Sequence, residues 1–439
     1  MTSPRWGVPM DRKAFLRAAA VLAGSAAGLS FGPGTADGSD LFGLADRLGQ
    51  AATDDDAFWR VVRSQFLLDP DWTFLNFGGL GACPLPVLTT LAEATRNEER
   101  APSAGHDQKQ WDLVKEGLAR LLGRDCRKED LALLSTATEG INLIVSGLAL
   151  KSGDEVITST HEHAALYTAL LNRRQRDGIV IRTFEPDRAS GQGNVDRVAK
   201  LMTPRTRLIF ISHVTCTTGQ LLPAKAIGEL AKAKGVRYAL DGAQAPVCVP
   251  VDIGECGADY YVCSTHKWIM GPKRTGFLWV RPGLVDTLQP LALGMGSFQR
   301  FNVDTGELAL HPGARRFEWG TQNEALFFAL GRAVEFVQAI GVDRIVGHNR
   351  ALAERFYRGL REMPGVELVS PDEEAWRTPM IGFRMRTHAF RDIGEHLTKD
   401  RIRVRTVTEG GLNSIRVSFG VCNHDGEVDA ILASLKKLG

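Results

Sequence analysis

The sequence lacks a large excess of charge of either sign. Its 439 residues include 53 Lys or Arg and 51 Asp or Glu, which gives a formal net charge of +2. A chain of this kind lacks the field that attracts nucleic acid or an anionic membrane surface, so neither is expected as its main partner. With 44% hydrophobic and 24% charged residues, the composition is that of a globular protein, and the length allows two or three domains.

Cysteine is scarce and scattered. The seven cysteines are odd in number, and none belongs to a CxxC pair of the kind that binds zinc or acts in redox reactions. We therefore predict buried reduced thiols, with neither a disulfide framework nor a metal site. The cysteines are Cys83, Cys126, Cys216, Cys248, Cys256, Cys263 and Cys422.

Long hydrophobic runs are also absent, apart from one short stretch near the N-terminus. Residues 18–31 are uncharged and follow Arg12 and Lys13. The stretch is too short for a membrane span, which needs about 20 apolar residues, so no integral membrane domain is expected. It resembles a twin-arginine signal with Lys13 in place of the second arginine. We predict a leader over residues 1–50 and a periplasmic or secreted protein; a cytoplasmic protein with an N-terminal extension is the alternative.

Seven short apolar runs alternate with amphipathic helical stretches. This alternation predicts an α/β fold, in which a mainly parallel seven-stranded sheet lies between helices. We divide the rest of the chain into an N-terminal segment (54–95), a large domain (96–322) and a smaller α+β C-terminal domain (323–439). The predicted strands are Leu131–Ser135, Glu155–Ser159, Ile179–Phe184, Leu208–Ser212, Arg237–Leu240, Tyr260–Cys263 and Gly276–Val280.

Residues that follow the strands are the candidates for chemistry, because parallel sheets bind ligands at the carboxyl ends of their strands. Ala137 and Thr138 lead from the first strand into a helix, in a segment rich in small hydroxyl residues. Free N–H groups at a helix N-terminus suit a phosphate. The structural alternative is an ordinary Ser/Thr helix cap with Glu139 nearby.

Two further strands are followed by a carboxylate and a lysine. Asp241 comes after one strand, and Lys267 comes 26 residues later, after the next. A carboxylate can keep a pyridine nitrogen protonated, and a lysine can carry an aldehyde as a Schiff base. Alternatively, Asp241 caps a turn and Lys267 extends to the surface.

The combined motifs Asp241-x-x-Gln244 and Ser264-x-His266-Lys267 are highly specific. With them the chain resembles the class V aminotransferase family of fold type I pyridoxal-phosphate enzymes, from about Phe74 to the C-terminus. The similarity is greatest to the isopenicillin N epimerase-like branch, which is related to the cysteine desulfurases.

The resemblance implies pyridoxal 5'-phosphate as the cofactor and a role for each matching residue. Lys267 matches the lysine that forms the Schiff base and moves the α-proton, and Asp241 matches the partner of the ring nitrogen. Gln244 matches the contact to the phenolic oxygen of the ring. The residues that match phosphate ligands are Ala137, Thr138, Ser264 and His266.

Two more positions concern the ring and a second subunit. His163 matches the aromatic ring that stacks on the cofactor, although capping of the following helix is an alternative. Thr321, after Gly320, matches the segment that reaches the phosphate of the neighbouring subunit. The resemblance therefore implies a homodimer.

The resemblance also assigns the substrate contacts. Arg416 matches the arginine that grips the α-carboxylate, and a planar guanidinium suits a bidentate contact of this kind. Asn76 lies in the glycine-rich segment Leu75–Gly81. A surface strand arginine and a turn residue are the respective structural alternatives. Arg403 and Arg405 either tune selectivity for the side chain or belong to a solvated edge strand.

One expected residue is missing. Cysteine desulfurases need a cysteine nucleophile in the loop before the small-domain arginine, and residues 406–415 contain none. Desulfuration through a persulfide is therefore disfavoured. We predict an amino-acid epimerase or racemase, with an aminotransferase or a C–S lyase as alternatives. A binding protein that keeps only the fold is opposed by Lys267 and Asp241, and a nicotinamide enzyme by the lack of a GxGxxG turn.

Overall fold

A computed structural model describes residues 41–102 and 107–438, so residues 12–31 of the predicted signal lie outside the described part. The strands in this part form one seven-stranded sheet, one four-stranded sheet and two strand pairs. They are β1 (Thr73–Phe74), β2 (Leu131–Leu134), β3 (Glu155–Ser159), β4 (Val180–Phe184), β5 (Thr206–Ser212), β6 (Arg237–Asp241), β7 (Tyr260–Ser264), β8 (Gly276–Val280), β9 (Phe298–Asn302), β10 (Glu307–Leu310), β11 (Val366–Leu368), β12 (Met380–Met385), β13 (Ile402–Arg403), β14 (Arg405–Val407) and β15 (Ser414–Ser418).

Helices surround both larger sheets. They are α1 (Leu41–Gln50), α2 (Asp55–Arg63), α3 (Leu85–Arg100), α4 (Gln108–Leu121), α5 (Ala137–Gly147), α6 (Ala164–Asp177), α7 (Gly191–Leu201), α8 (Ala224–Ala233), α9 (Glu324–Ile340), α10 (Val342–Arg361), α11 (Phe390–Lys399) and α12 (Asp425–Lys436). Within the described residues no single helix is long and apolar enough to cross a membrane; only the pair α9 and α10, bent by 77°, passes when taken together.

The seven-stranded sheet confirms the predicted α/β fold. Its strand order is β2-β8-β7-β6-β5-β3-β4, and β8 alone runs antiparallel to its neighbours. Side chains alternate between its faces: Leu131 and Leu133 join the core beneath α4 and α8, whereas Ala132 and Leu134 join the core beneath α5 and α6. Strands buried on both faces explain the continuous apolar runs in the sequence.

The C-terminal part contains the predicted smaller α+β unit. Strands β11, β12, β15 and β14 pair in that order, all antiparallel. Helices α10, α11 and α12 cover this sheet with a separate apolar cluster that includes Phe356, Phe383 and Phe419. The antiparallel pairing of this sheet distinguishes the C-terminal unit from the large domain, whose sheet is mainly parallel.

The glycine-rich segment 75–81 joins the two sheets. Strand β1 pairs with β13, and the backbone of Leu75 and Phe77 then bonds to Ser418 at the end of β15. At its other end the N–H of Gly81 donates to the carbonyl of His266 at 2.9 Å. This segment therefore connects the small-domain sheet to the loop that carries Lys267.

Some details differ from the sequence-based expectations. Helix α5 begins at Ala137, because the Thr136 side chain caps it by accepting from Glu139 N at 3.2 Å; the sequence shows its helical periodicity only from about Gly140. The β9–β10 hairpin was not predicted, since its side chains are largely exposed and its strands lack an apolar run. Helix α1 occupies the end of the predicted leader, and Leu44 and Leu48 are buried in the core. All seven cysteines are free and buried, as predicted.

Candidate functional site

The sheet brings Asp241 and Lys267 together. Strands β6 and β7 are parallel neighbours, and Asp241 at the end of β6 pairs with Val262 of β7. Asp241 is buried, and its Oδ1 accepts from Ala243 N at 2.9 Å. Lys267 follows β7 by three residues, and Asp241 is the strongest negative charge acting on its amine. The predicted pair therefore lies in one cleft at the carboxyl ends of the strands.

Two opposing effects act on the pKa of the Lys267 amine. Burial lowers the pKa of Lys267, and the negative charge of Asp241 opposes this effect only in part. The backbone of Gly81 lies so close to Lys267 that only glycine fits there: a Cβ at this position would lie 2.1 Å from the Lys267 carbonyl oxygen. A lowered pKa makes the amine available as a nucleophile and as a proton acceptor.

Hydrogen-bond donors gather near Lys267, at the N-terminus of α5. The N–H of Ala137 donates to Ser264 Oγ at 2.9 Å, and the N–H of Thr138 has no partner among the described residues. His266 Nδ1 is buried and also lacks a protein partner within this part of the chain. Burial lowers the pKa of His266 to about 4, so its ring is neutral and can donate through one nitrogen. Unsatisfied donors at a helix N-terminus fit a phosphate.

Arg416 supplies a buried positive charge on the other side of the cleft. Its Nη2 donates to Asn76 Oδ1 at 2.9 Å, and its Nη1 donates to the Cys216 carbonyl at 2.6 Å. Its Nε has no partner, and none of the ion pairs formed by the described residues includes Arg416. Burial lowers the pKa of Arg416 to about 9, with a further contribution from Arg405. A buried guanidinium without a carboxylate is suited to receive one from a ligand.

A family model for class V aminotransferases matches residues 90–431. The chain belongs to the aminotransferase class V family. It is 31% identical over 341 residues to isopenicillin N epimerase from Streptomyces clavuligerus, which covers 75% of this chain and 85% of that protein. It is 30% identical to isopenicillin N epimerase from Amycolatopsis lactamdurans over 396 residues, 87% and 98% of the two chains. A cysteine desulfurase from Serratia proteamaculans is 27% identical over 388 residues, 86% and 90% of the two chains.

Solved structures agree with this membership. A structure of C-DES with glycine covalently linked to its PLP cofactor has a TM-score of 0.78 and 25% identity, and the match covers 86% of this chain and 99% of that one. The predictions of fold type I, of an enzyme and of pyridoxal 5'-phosphate as cofactor are confirmed. In this chain the groups that fit this cofactor are Lys267, Asp241, Ser264, His266 and the start of α5.

Gln244 lies next to this set, with both ends of its amide occupied. Its Nε2 donates to the Gly78 carbonyl at 2.7 Å, and its Oε1 accepts from Trp268 Nε1 at 2.8 Å. These bonds tie the glycine-rich segment to the loop after β7. The contact of Gln244 to the phenolic oxygen of the cofactor stays a prediction.

His163 adopts the capping position that we gave as the alternative. It is the N-cap of α6, and its Nδ1 accepts from Ala165 N at 3.1 Å. Burial and the charge of Lys267 lower the pKa of His163. Because Nδ1 accepts the capping bond, the ring carries its proton on Nε2. The cap orients the ring at the edge of the cleft; stacking on the cofactor stays a prediction that is compatible with this bond.

Thr321 is separate from the other predicted residues. It is exposed, and no hydrogen bond in the described ranges links it to the cleft of the same chain. The preceding Glu318 is buried and anchored by Lys115 Nζ at 2.7 Å.

Arg403 stacks its guanidinium over Trp72, 5.0 Å from the ring centroid, whereas Arg405 reaches the Cys216 carbonyl at 3.1 Å.

The sequence analysis missed the role of Glu162, which precedes His163. Its carboxyl is fully buried between two strand ends and accepts from Ser159 Oγ at 2.5 Å and from Ser212 N at 2.9 Å. Burial raises the pKa of Glu162 to about 7. The side chain therefore joins β3 to β5 directly beneath the cleft. A buried acid inside the His161-Glu162-His163 sequence was the available signal.

We expect Glu162→Gln to change the dependence of stability on pH. In the unfolded chain this carboxyl loses its proton once the pH exceeds its ordinary pKa. In the folded protein it stays protonated up to about pH 7. Its contribution to stability therefore falls as pH rises, by about 2 kcal/mol between pH 5 and 6.5. Denaturant unfolding at a series of pH values measures this slope. The exposed Glu229→Gln is the control, and an equal slope in Glu162→Gln and the wild type would contradict the assignment.

Proposed function

We propose that this enzyme is an amino-acid epimerase or racemase. The observation that carries the proposal is Arg416, a buried guanidinium without an acidic partner, placed beside Asn76 and across the cleft from Lys267. Two isopenicillin N epimerases at 30% and 31% identity support it. The loop at residues 406–415 also lacks the cysteine that a desulfurase requires.

The residues divide the work between binding and proton transfer. Arg416 holds the α-carboxylate of the amino acid through its fork of donors, and the bond to Asn76 fixes the plane of that fork. The amine of Lys267 accepts the α-proton and can return it. When bound, the cofactor supplies an electron-withdrawing ring that stabilises negative charge at the α-carbon. Asp241 would hold the proton on the ring nitrogen of the bound cofactor.

A C–S lyase is the second candidate, because a specific structural likeness favours it. The structure of the cystine C-S lyase C-DES with cysteine persulfide has a TM-score of 0.77 and 25% identity and covers 83% of this chain. Such a reaction begins with the same proton removal by Lys267. An aminotransferase also begins in this way, and the fate of the substrate distinguishes the three.

Incubation of the holoenzyme with single enantiomers in D₂O is the test. For the chiral protein amino acids and α-aminoadipate, we expect at least one pair in which deuterium enters the α-position while optical activity is lost. Nuclear magnetic resonance and chiral chromatography measure both quantities. Exchange with full retention of configuration, stoichiometric keto acid, or released sulfur would contradict epimerisation and assign a transferase or a lyase.

We propose that the enzyme acts as a homodimer. Several apolar side chains are exposed on the β9–β10 hairpin and the segments beside it, and Thr321 lies at the end of this region. Exposed apolar groups in one region are typical of an interface. Sedimentation equilibrium tests this; a monomer with full activity would contradict it. The exposed residues are Leu293, Met295, Phe301, Val303, Leu308 and Trp319.

We also propose export through the twin-arginine route. The basis is Arg12 and Lys13 before the uncharged residues 18–31. Fusion of residues 1–50 to a reporter that is active only when exported in a folded state should place the reporter outside the cytoplasm. Changing Arg12 and Lys13 to glutamine should abolish export. A reporter that stays in the cytoplasm with the native leader would contradict the proposal.

A further inference from the structure

Cys216 lies at the point where the two substrate-side arginines converge. It belongs to the loop after β5, it is 4% exposed, and its carbonyl accepts from Arg416 Nη1 at 2.6 Å and from Arg405 Nη1 at 3.1 Å. Arg416 has a buried Nε without a partner at this same place. The backbone of Cys216 therefore borders the pocket that Arg416 leaves open for a carboxylate, and the charges of Arg405, Lys267 and Arg416 act on its thiol.

The sheet topology places Cys216 and Lys267 on opposite sides of Asp241. Strand β6, which ends at Asp241, lies between β5 and β7, and these two strands lead to Cys216 and Lys267 respectively. Neighbouring strands are about 4.8 Å apart, so the two loops flank the cleft across about two strand spacings. The thiol and the amine are close enough that each affects the charge of the other.

Two other proton-carrying groups around the cleft, Tyr167 and Glu409, are already bound. A third, His163, is held by the helix-capping bond from Ala165 N to its Nδ1 but keeps its proton on Nε2. The Tyr167 hydroxyl donates to the Ser159 carbonyl and accepts from Glu162 N. Glu409 forms an ion pair with Arg405. The Cys216 thiol makes no hydrogen bond to any other described residue, so its proton is not committed elsewhere.

We propose that Cys216 is the second acid–base group of the enzyme and exchanges a proton with the face of the α-carbon opposite Lys267. The inference rests on the proposed epimerase function and on Arg416 as the site of the carboxylate. It supplies the group that inversion requires, because a single base returns the proton to the face from which it came.

The proton balance is simple. Lys267 takes the α-proton and becomes an ammonium, while the S–H bond of Cys216 breaks and a new C–H bond forms on the opposite face. The resulting thiolate lies near Arg405 and Arg416, whose charges stabilise it. The thiolate regains a proton from water and the ammonium loses one to water, so each turn ends with both groups restored. Burial raises the pKa of the Cys216 thiol, which keeps it protonated as a donor.

Glycine in D₂O is the probe, because its two α-hydrogens report the two faces separately. With both bases present, the wild-type holoenzyme is expected to convert glycine to the dideuterated form. Cys216→Ala should exchange one hydrogen and slow the second exchange by at least about 100-fold, which leaves chiral monodeuterated glycine. Cys216→Ser, a smaller change, should slow the second exchange in the same selective way. Mass spectrometry and nuclear magnetic resonance follow both steps.

The controls separate this role from a structural one. Cys256→Ala removes another buried thiol, away from the cleft, and should behave as the wild type. Loss of structure at Cys216 would slow both exchanges equally, and the visible band of the bound cofactor would change. Dideuteration by Cys216→Ala at the wild-type rate overturns the role of Cys216 alone. A wild type that exchanges only one hydrogen contradicts the proposed epimerisation, because inversion requires proton exchange on both faces. A wild type that exchanges neither hydrogen contradicts the proposed function as well.

Discussion

Replacing Lys267 with alanine is expected to lower turnover by at least about 10²–10⁴-fold, the contribution of one positioned acid–base group. Loss of the covalent link to the cofactor adds to this. The amine is buried, its pKa is lowered by burial, and it lies beside Asp241. Alanine leaves the backbone contact between Gly81 and the loop in place, so the fold is expected to persist.

Two measurements accompany this variant. The visible absorption band of the holoenzyme should disappear on borohydride treatment in the wild type and should be shifted or absent in Lys267→Ala. Lys225→Ala, an exposed lysine on α8, is the control and should keep full activity and the band. Activity of Lys267→Ala near the wild-type level would remove the assignment of Lys267.

Replacing Arg416 with alanine is expected to lower kcat/KM by about 10²–10³-fold, because removal of one partner from a buried charge pair costs several kcal/mol. The effect should be greatest on KM, since Arg416 holds the carboxylate and does not move the proton. Arg416→Lys keeps the charge but loses the fork of donors, so it should recover only part of the loss. Steady-state kinetics with a turned-over amino acid measures both.

A matched arginine gives the control. Arg403 lies on β13 and stacks on Trp72, so Arg403→Ala should leave KM unchanged. Because Arg416 also donates to Asn76 and Cys216, thermal unfolding of each variant must be compared. A folded Arg416→Ala enzyme with an unchanged KM would show that the carboxylate binds elsewhere, and the proposed function would lose its main support.

Much of the large domain was predictable from the sequence. Each of its seven strands lies within one or two residues of a predicted run, because most of them are buried on both faces and carry mainly apolar side chains. The edge strand β4 is the exception, since only Phe184 of it is buried. The hairpin β9–β10 was not predictable, since its exposed strands carry no such pattern. Helix starts were less certain, because capping by Thr136 depends on one side-chain bond.

The candidate site shows the same division. Asp241 and Lys267 were found because their motifs follow predicted strands with a fixed local spacing. These motifs also carry the resemblance to the class V aminotransferase family. Glu162 and Cys216 were missed because their roles depend on groups from other strands, such as Ser212 for Glu162 and Arg416 for Cys216. For Glu162 the available signal was its place between His161 and His163, whereas a single thiol such as Cys216 has no local signal that distinguishes a buried structural residue from a site residue.

The sequence by itself determined the strands of the large domain through their apolar runs. It also determined the motif that contains the cofactor-binding Lys267, and the absence of a cysteine in the loop at 406–415. Only the tertiary structure decided which distant residues meet. Asn76 and Arg416 are 340 positions apart, and Cys216 and Arg416 are 200 positions apart, yet each pair is joined by a hydrogen bond. Such contacts result from the placement of the small-domain strand β15 beside the loop after β5 and the segment 75–81, and neither local propensity nor periodicity encodes that placement.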